Sequence, residues 1–350
     1  MKALLDQWLT VSFQKGASDL HLSTNSAPIY RLHGELGKID APPLSPQDTE
    51  AIVKAILTQE QYDTFERQGE LDFSYSIHNI SRFRVNAYRQ RASVSLAFRV
   101  VPPNVPSLEE LMLPSILKKL CQKPQGLILV VGPTGSGKST TLASMIDYIN
   151  KTVKKHIITL EDPIEYLHKH QKSIIDQREI GFDTLNFANG LRAALRQDPD
   201  VILVGELRDL ETIATAITAA ETGHLVFGTL HTSDAPSTID RIIDVFPSGQ
   251  QAQIRIQLAS ELVSVISQRL FPTPKHDGRR AALEIMINNP AISNLIRNEK
   301  IYQIPSVIQT SRAQGMQTMA TAIQALLTEG AIAREAAEPY LMGDPNHGLL

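Results

Sequence analysis

The sequence is poor in several residue types, and each shortage excludes a class of protein. Cys121 is the one cysteine in 350 residues, so a single chain can form no internal disulfide and no zinc site built from several cysteines. Lys and Arg number 34 against 37 Asp and Glu, a formal net charge of -3, and aromatic residues make up 5%. Both values disfavour a protein that binds nucleic acid through phosphate contacts and base stacking.

Long hydrophobic runs are also missing. The longest apolar runs, residues 127–131 and 201–204, have the length of a strand and fall far short of the roughly 18 residues of a membrane-spanning helix. The first twelve residues carry no apolar core of the kind found in signal peptides. We therefore expect a cytoplasmic protein in a reducing compartment, peripheral to the inner face of the membrane only through partner proteins.

The first hundred residues predict a small α+β domain, residues 1–101. Runs rich in β-branched and aromatic residues predict strands near 19–23, 28–32, 71–77, 83–88 and 94–101. Ser45 followed by Pro46 and Asp48 predicts a helix start, and we expect this helix to continue to about Arg67, before Gly69.

Pro102, Pro103 and Pro106 interrupt this pattern and predict a proline-rich linker over residues 102–114. After the linker, apolar strands near 126–131, 156–160, 201–204 and 225–229 alternate with helices near 138–150, 186–196 and 210–222. This alternation indicates an α/β fold with a mainly parallel sheet covered on both faces. Beyond Gly249 we expect mostly helix, with a short strand pair near 268–271 and 282–287. The second domain is expected to span 115–341, followed by a flexible tail, 342–350.

A glycine-rich loop carries the strongest chemical signal. It reads Gly132-Pro133-Thr134-Gly135-Ser136-Gly137-Lys138-Ser139-Thr140 and matches the phosphate-binding pattern G-x-x-x-x-G-K-[ST] between a strand and a helix. Its glycines let backbone N–H groups approach phosphates, and the helix N-terminus adds partial positive charge. Lys138 is expected to reach the β- and γ-phosphates of a nucleotide, and the Ser139 hydroxyl to ligate Mg²⁺. The loop alone does not separate an ATPase, a GTPase and a kinase. No N-K-x-D guanine motif occurs, which disfavours a GTPase.

Acidic residues follow two of the predicted strands. Glu161, Asp162 and Glu165 come after one, and Glu206 follows Val201-Ile202-Leu203-Val204-Gly205. Ligands bind at the carboxyl ends of parallel strands, so these carboxylates are candidates for the site. Gly205 stands where most P-loop proteins carry the Asp that holds Mg²⁺, so we expect Glu206 to polarise the attacking water or to anchor a metal-bound water. Helix-start or solvated carboxylates are the alternative interpretation.

Together, four segments resemble the Walker A, Asp box, Walker B and His box of the type II/IV secretion ATPases. They read GPTGSGKST, LEDPIEY, ILVGELRD and, at residues 228–232, GTLHT. The resemblance implies a RecA-like P-loop ATPase domain with a smaller, PAS-like α+β N-terminal domain. It also implies that Glu206 is the catalytic glutamate, that Glu165 lies near the γ-phosphate and Mg²⁺, and that His231 senses nucleotide state or couples subunits. His224 is a weaker candidate.

Arginines that neutralise the γ-phosphate would complete such a site. Arg192 and Arg196 are spaced i, i+4 on a predicted helix, and Arg84 and Arg99 lie on predicted strands of the N-terminal domain. In the family, arginines from both places approach the nucleotide. Solvated or ion-paired surface arginines are the alternative for all four.

The segment 291–300 resembles the AIRNLIRE signature of the retraction motors within this family. Ser293 replaces an arginine and Asn298 a glutamate, and both changes are expected to remove charge from a surface; an ordinary amphipathic helix also explains the apolar spacing. The chain is short and lacks the four-cysteine subdomain common in assembly ATPases. The resemblance therefore implies a hexameric ATP-hydrolysing motor for type IV pilus retraction, acting on an inner-membrane platform protein without binding nucleic acid. An assembly or type II secretion ATPase, an accessory retraction paralogue, a non-hydrolysing scaffold and a RecA-like nucleic-acid translocase remain as alternatives.

Overall fold

The structure, a computed structural model, describes residues 1–32, 34–78, 80–102, 104–276 and 278–341. The chain divides into two compact units. The first comprises Met1–Asn104 together with Glu165–Leu167, and the second comprises Val105–Ile164 and His168–Leu350. The predicted tail, 342–350, lies outside the described residues, as does Pro103 of the predicted linker.

The first unit contains a six-stranded antiparallel sheet in the order β3-β2-β1-β6-β5-β4. Its elements are α1 (Lys2–Gln14), β1 (Asp19–Leu22), β2 (Ile29–Leu32), β3 (Glu35–Lys38), α2 (Pro46–Ile56), α3 (Gln59–Gln68), β4 (Glu70–Ile77), β5 (Ser81–Gln90) and β6 (Ser93–Val100). One face of the sheet packs against the helices through buried side chains that include Leu9, Ile52, Phe65 and Phe83. Alternate residues of β5 are buried, as expected of a sheet with one covered face. The α+β prediction is confirmed.

Local capping explains where the predicted helix differs from the structure. Ser45 caps α2 as predicted, and Gly69, with φ 80°, ends α3. The single predicted helix is nevertheless two helices. Thr58 starts a second capping box, because its hydroxyl accepts a hydrogen bond from Gln61 N at 3.3 Å while Gln61 Oε1 accepts one from Thr58 N at 3.0 Å. Helix α1 and strand β3 were not predicted.

Most of the proline-rich segment predicted as a linker packs into the second unit. Residues from Val105 onward belong to that unit. Leu108 is buried in the same cluster as Leu117, and the Glu110 carboxylate accepts a hydrogen bond from Ser107 N at 2.6 Å. These contacts hold the segment in a compact turn.

The second unit is built on a seven-stranded sheet in the order β13-β12-β7-β11-β10-β8-β9, parallel except for β13. Its strands are β7 (Gly126–Val131), β8 (His156–Glu161), β9 (Ile174–Glu179), β10 (Val201–Val204), β11 (Leu225–Leu230), β12 (Leu262–Pro272) and β13 (Arg279–Ile287). Its helices are α4 (Ile116–Cys121), α5 (Lys138–Thr152), α6 (Phe187–Ala194), α7 (Leu210–Glu221), α8 (Ala235–Asp244), α9 (Ser248–Glu261), α10 (Pro290–Arg297), α11 (Ile304–Thr310), α12 (Met319–Thr328) and α13 (Arg334–Leu341), with 3-10 turns at Ile301–Gln303 and Arg312–Gln314.

Both faces of this sheet are covered by helices. Along β7, Ile128 packs in one buried cluster with Met145 of α5, and Leu129 packs in another with Ile217 of α7 and Leu258 of α9. The predicted mainly parallel α/β sheet is therefore confirmed, and the order places β11 between β7 and β10. Strand β9 was not predicted, and β12 and β13 are longer than predicted. Among the described residues, no helix is both long and apolar enough to cross a membrane.

Candidate nucleotide site

The glycine-rich loop leaves the carboxyl end of β7 and enters α5. Gly137 is the N-cap of α5 in the left-handed conformation, φ 87°, which favours glycine. The Lys138 ammonium folds over the loop and donates hydrogen bonds to the carbonyl oxygens of Gly132 at 2.7 Å and Pro133 at 3.0 Å. This places a cation beside the backbone N–H groups at a helix start, the arrangement that binds phosphate oxygens.

The loop is also packed too closely for side chains at two positions. A Cβ on Gly132 would lie 2.4 Å from Gln268 O, and a Cβ on Gly137 would lie 2.8 Å from Gln268 Nε2. Between them, Ser136 Oγ is buried without a hydrogen-bond partner. The loop therefore combines three features of a phosphate-binding site. Its glycines allow close backbone packing, a buried hydroxyl is unpaired, and a cation lies over the loop.

A cavity of about 380 Å³ adjoins the start of α5. Its lining includes Leu111, Leu113, Gly137, Thr140, Leu270 and Arg279. The volume and the mixture of apolar and polar lining are typical of a pocket for part of a small ligand. Sequence reasoning missed this pocket, because the leucines at 111 and 113 lie in the segment predicted as a linker. Their apolar character was the available signal.

Glu206 and His231 meet at the carboxyl ends of β10 and β11. Glu206 Oε1 lies 3.1 Å from His231 Nε2, and the same oxygen accepts a hydrogen bond from Arg208 Nε. The Glu206 side chain is 19% exposed and that of His231 44%. The backbone hydrogen bond from Leu207 N to Thr229 O, at 2.9 Å, joins the two strand ends. The structure thus brings together two residues that lie 25 positions apart in the sequence and were predicted separately.

Crowding at Gly205 accounts for the glycine in this Walker B segment. Gly205 N donates to Leu160 O at 2.8 Å, and a Cβ at this position would lie 3.0 Å from that oxygen and 3.4 Å from the Cα of Glu161. A side chain here, such as that of an aspartate, would require the end of β8 to shift by a few tenths of an ångström. Glu206, one residue later, is therefore the first position of this strand end that can carry a carboxylate without that clash.

The other acidic candidates are arranged differently. Glu161 Oε1 accepts hydrogen bonds from Thr159 Oγ1 at 2.6 Å and Gln177 Nε2 at 3.1 Å, so it is held at the end of β8. Glu165 is exposed and belongs to the three residues grouped with the first unit. His224 lies at the amino end of β11, the opposite end from His231, and its Nδ1 lies 2.9 Å from Ala219 O. We assign His224 a structural role.

Arg192 and Arg196 do not share one helix face. Helix α6 ends at Ala194, so Arg196 lies in the following turn, which leads to the amino end of β10. Arg192 forms an ion pair with Glu211 in the first turn of α7. Arg196 is exposed and lies near the amino ends of the strands, whereas the glycine-rich loop lies at their carboxyl ends. Within a single chain, the structure does not bring Arg196 to Lys138.

Arg84 and Arg99 are direct cross-strand neighbours on β5 and β6, and both are exposed. Two cations directly opposite each other repel unless an anion lies close. Asp19 supplies one, since its Oδ1 lies 3.0 Å from Arg99 Nε. Burial raises the pKa of Asp19, but hydrogen bonds from Ser18 and Arg99 outweigh it and hold that pKa below its usual value.

The C-terminal signature forms α10, whose apolar residues Ile292, Leu295 and Ile296 are buried as an amphipathic helix predicts. Ser293 is half-buried, and its hydroxyl donates to Ala259 O at 2.8 Å and lies 3.0 Å from Asn288 Oδ1. Ser293 is therefore partly covered by α9, to which its hydroxyl is hydrogen-bonded. Asn298 is exposed, as predicted.

Known proteins resemble this chain over nearly its whole length. The twitching motility protein of Neisseria gonorrhoeae is 53% identical over 310 residues, covering 89% of this chain and 83% of the relative. The type IV pilus retraction ATPase PilT of Pseudomonas aeruginosa PAO1 is 50% identical over 333 residues, covering 95% and 96%. The crystal structure of the pilus retraction motor PilT with bound ADP superposes with a TM-score of 0.89 at 48% identity, covering 97% of each chain. The model of the family described as "Type II/IV secretion system protein" matches residues 1–338, and the chain belongs to this family.

Proposed function

We propose that this chain is an ATPase motor that powers the retraction of type IV pili. The observation that carries the proposal is the placement of two chemical groups on one edge of the parallel sheet. The glycine-rich loop with Lys138 follows β7. Glu206 and His231, 3.1 Å apart, follow the carboxyl ends of β10 and β11. The PilT proteins reported above have the same fold, and they are named as a retraction ATPase and a retraction motor.

The glycine-rich loop, Gly132 to Thr140, binds the phosphates of ATP. Its backbone N–H groups and the start of α5 face the phosphate oxygens, and Lys138 transfers its hydrogen bonds from two loop carbonyls to the β- and γ-phosphates. The cavity lined by Leu113 and Leu270 takes the nucleoside.

Mg²⁺ would accompany the nucleotide, and Ser139 and Glu206 are the residues that would hold it. The described residues contain no group of three or more His, Cys, Asp or Glu side chains close enough to hold a metal. This composition fits Mg²⁺, which keeps several waters and binds through one or two protein groups plus the phosphates. When bound, the ion neutralises charge on the β- and γ-phosphates.

Glu206 acts on the attacking water. Its carboxylate is oriented from two sides, by His231 and by Arg208, and a fixed carboxylate can align a water and accept its proton. His231 contacts this carboxylate and begins the loop that leads into α8, and we assign it the sensing of nucleotide state or the coupling of subunits.

Residues outside the loop complete the neutralisation of the negative charge on the γ-phosphate. We assign this role to Arg84, Arg99, Arg192 and Arg196, through direct or cross-subunit contacts. Glu165, a carboxylate near the γ-phosphate, would help to hold Mg²⁺. The distance along the sheet between Arg196 and the loop favours a contribution to a neighbouring subunit's site. A ring of identical subunits, a homo-hexamer, provides such contacts.

The motor works on an inner-membrane platform protein of the PilC-like kind, at the cytoplasmic face of the membrane. PilU-like or PilB-like ATPases are its further partners. Hydrolysis that changes the arrangement of the two units would turn or pull the platform, and pilin subunits would leave the pilus base. Twitching motility follows from this cycle, and DNA uptake can use the same retraction.

The first test is a count of surface pili and a twitching assay in a strain that lacks the gene, complemented with the wild-type gene or the Lys138→Ala allele. Many pili without movement, restored by the wild-type gene alone, are the expected result. A cell without pili would overturn the retraction proposal and identify an assembly motor. Normal pili and movement would point to an accessory paralogue or a different secretion system.

A further inference from the structure

Gln268, on β12, is a buried side chain with two polar contacts to the glycine-rich loop and the helix that follows it. It is 2% exposed. Its Nε2 donates a hydrogen bond to Ser136 O at 2.7 Å, and its Oε1 accepts one from Thr141 Oγ1 at 2.7 Å. Because a carbonyl oxygen can only accept, the amide nitrogen must face Ser136, and this fixes the orientation of the carboxamide.

The contact with Ser136 controls the direction of the next peptide N–H. In a trans peptide the C=O and N–H groups point in opposite directions. With Ser136 O held against β12, the N–H of Gly137 points away from β12, toward the open side of the loop. Gly137 has φ 87°, a conformation in which glycine gives little resistance to rotation of the neighbouring peptide. The hydrogen bond from Gln268 therefore supplies the restraint that the glycine lacks.

The second contact joins the same side chain to α5. Thr141 lies in the first turn of that helix and is buried. Gln268 thus connects the end of the loop to the helix start across 132 and 127 residues of sequence. The strand is close enough that side chains at Gly132 and Gly137 would collide with Gln268 itself.

We propose that Gln268 is a positioning residue for nucleotide binding: its carboxamide holds the Ser136–Gly137 peptide so that the Gly137 N–H faces the phosphates. It acts through the loop and touches no reacting atom. The inference rests on the proposed function, because it requires that the loop bind a nucleotide. Loss of the restraint should weaken the binding of ADP and ATP alike, so KM rises more than kcat falls.

The test measures the dissociation constant of a fluorescent N-methylanthraniloyl-ADP with the purified full chain. Gln268→Leu keeps the approximate volume but leaves Ser136 O buried without a donor, and we expect about tenfold weaker binding, the size of effect typical of an unpaired buried polar group. Gln268→Glu keeps the shape. Its ionised form cannot donate to Ser136 O, whereas its protonated form can, and burial should raise the pKa of the new carboxyl. We expect affinity relative to wild type to recover as the pH is lowered from 8.5 to 6.

Ser264→Ala is the matched control. Ser264 is fully buried on the same strand, but its hydroxyl donates to Met286 O at 2.7 Å, away from the loop. Wild-type affinity is expected for this variant. If Gln268→Leu binds as well as Ser264→Ala, or if Gln268→Glu shows no recovery at low pH, the positioning role is overturned; the Gln268→Glu titration decides should Gln268→Leu not fold. Lys138→Ala separates the two proposals, since undiminished binding by that variant would contradict the loop as the nucleotide site.

Discussion

The two sheets of this molecule expose their polar residues in different ways. The antiparallel sheet of the first unit buries one face, and its other face carries charged side chains on the strands themselves, including Arg84, Arg99 and Asp19. The parallel sheet of the second unit is covered on both faces, so β7, β10 and β11 contain buried residues alone. Polar groups of the second unit that bind a ligand are therefore confined to the ends of its strands.

This difference separates two kinds of mutational effect. At the strand ends of the second unit, a side chain can be changed without opening the core, so activity and stability should respond independently. On the open face of the first unit, charged side chains add little to stability. Any loss of activity there must come from what the face contacts. The predictions that follow test each side of this contrast.

The largest effect is expected at the glycine-rich loop. Lys138→Ala should lower kcat for ATP hydrolysis by at least about a hundredfold, because it removes a preorganised cation from the phosphates. A phosphate-release assay measures this. Lys154→Ala changes an exposed lysine of the same unit and should keep wild-type activity. Equal activity of the two variants would contradict the assignment of Lys138.

A loss of similar size, limited to the chemical step, is expected for Glu206→Gln. The amide keeps the shape but cannot accept a proton from water, so kcat should fall about a hundredfold while ADP affinity stays unchanged. Single-turnover hydrolysis and ADP binding, measured in parallel, separate the two quantities. Glu221→Gln, at the far end of α7, is the control. A parallel loss of ADP affinity would argue that Glu206 mainly binds the nucleotide.

Stability should respond to the crowded strand end beside Glu206. Gly205→Ala is expected to lower the free energy of unfolding by about 1–3 kcal/mol, because its Cβ would press on Leu160 O. Gly249→Ala, whose Cβ would meet nothing within 4 Å, should be neutral or slightly stabilising. Urea unfolding of both variants measures the difference. Equal stabilities would show that β8 can move aside.

The smallest effect is expected on the open face of the first unit. Arg84→Ala and Arg99→Ala should each reduce ATPase activity about tenfold, if a positioned charge contributes about 1.4 kcal/mol to the transition state. Stability should hardly change, because the side chain of Arg99 is 71% exposed and its pair with Asp19 is worth about 0–1 kcal/mol. Arg67→Ala, on α3, is the control. Unchanged activity in the assembled protein would indicate that these arginines are solvated or ion-paired surface residues without a role in catalysis.

Local patterns predicted much of the second unit, because a strand covered on both faces is a continuous apolar run and a phosphate loop is a contiguous motif. The break between α2 and α3 at Thr58 also has a local cause, because Thr58 and Gln61 form a capping box that can be seen in the sequence. Strand β9 gave a weak signal, because an edge strand needs few apolar residues.

Other features depend on tertiary contacts and could not be predicted. Gln268 lies far from Ser136 in the sequence, and a glutamine in a strand carries no local sign of its partner. The covering of Ser293 by α9 and the separation of Arg196 from Lys138 depend on how helices pack and end. The pairing of Glu206 with His231 required the order of the strands.

The order of the strands also determines the distance between the glycine-rich loop and Glu206. Since β11 separates β7 from β10, the strand ends that carry the loop and Glu206 are two hydrogen-bonded spacings apart, about 10 Å. We expect a gap of this size to accommodate a phosphoryl group and one water molecule between Lys138 and Glu206. Backbone hydrogen bonds between neighbouring strands fix this distance. We therefore expect Glu206→Asp, which shortens the carboxylate arm by one methylene, to move the carboxylate away from the attacking water and to lower the rate of hydrolysis.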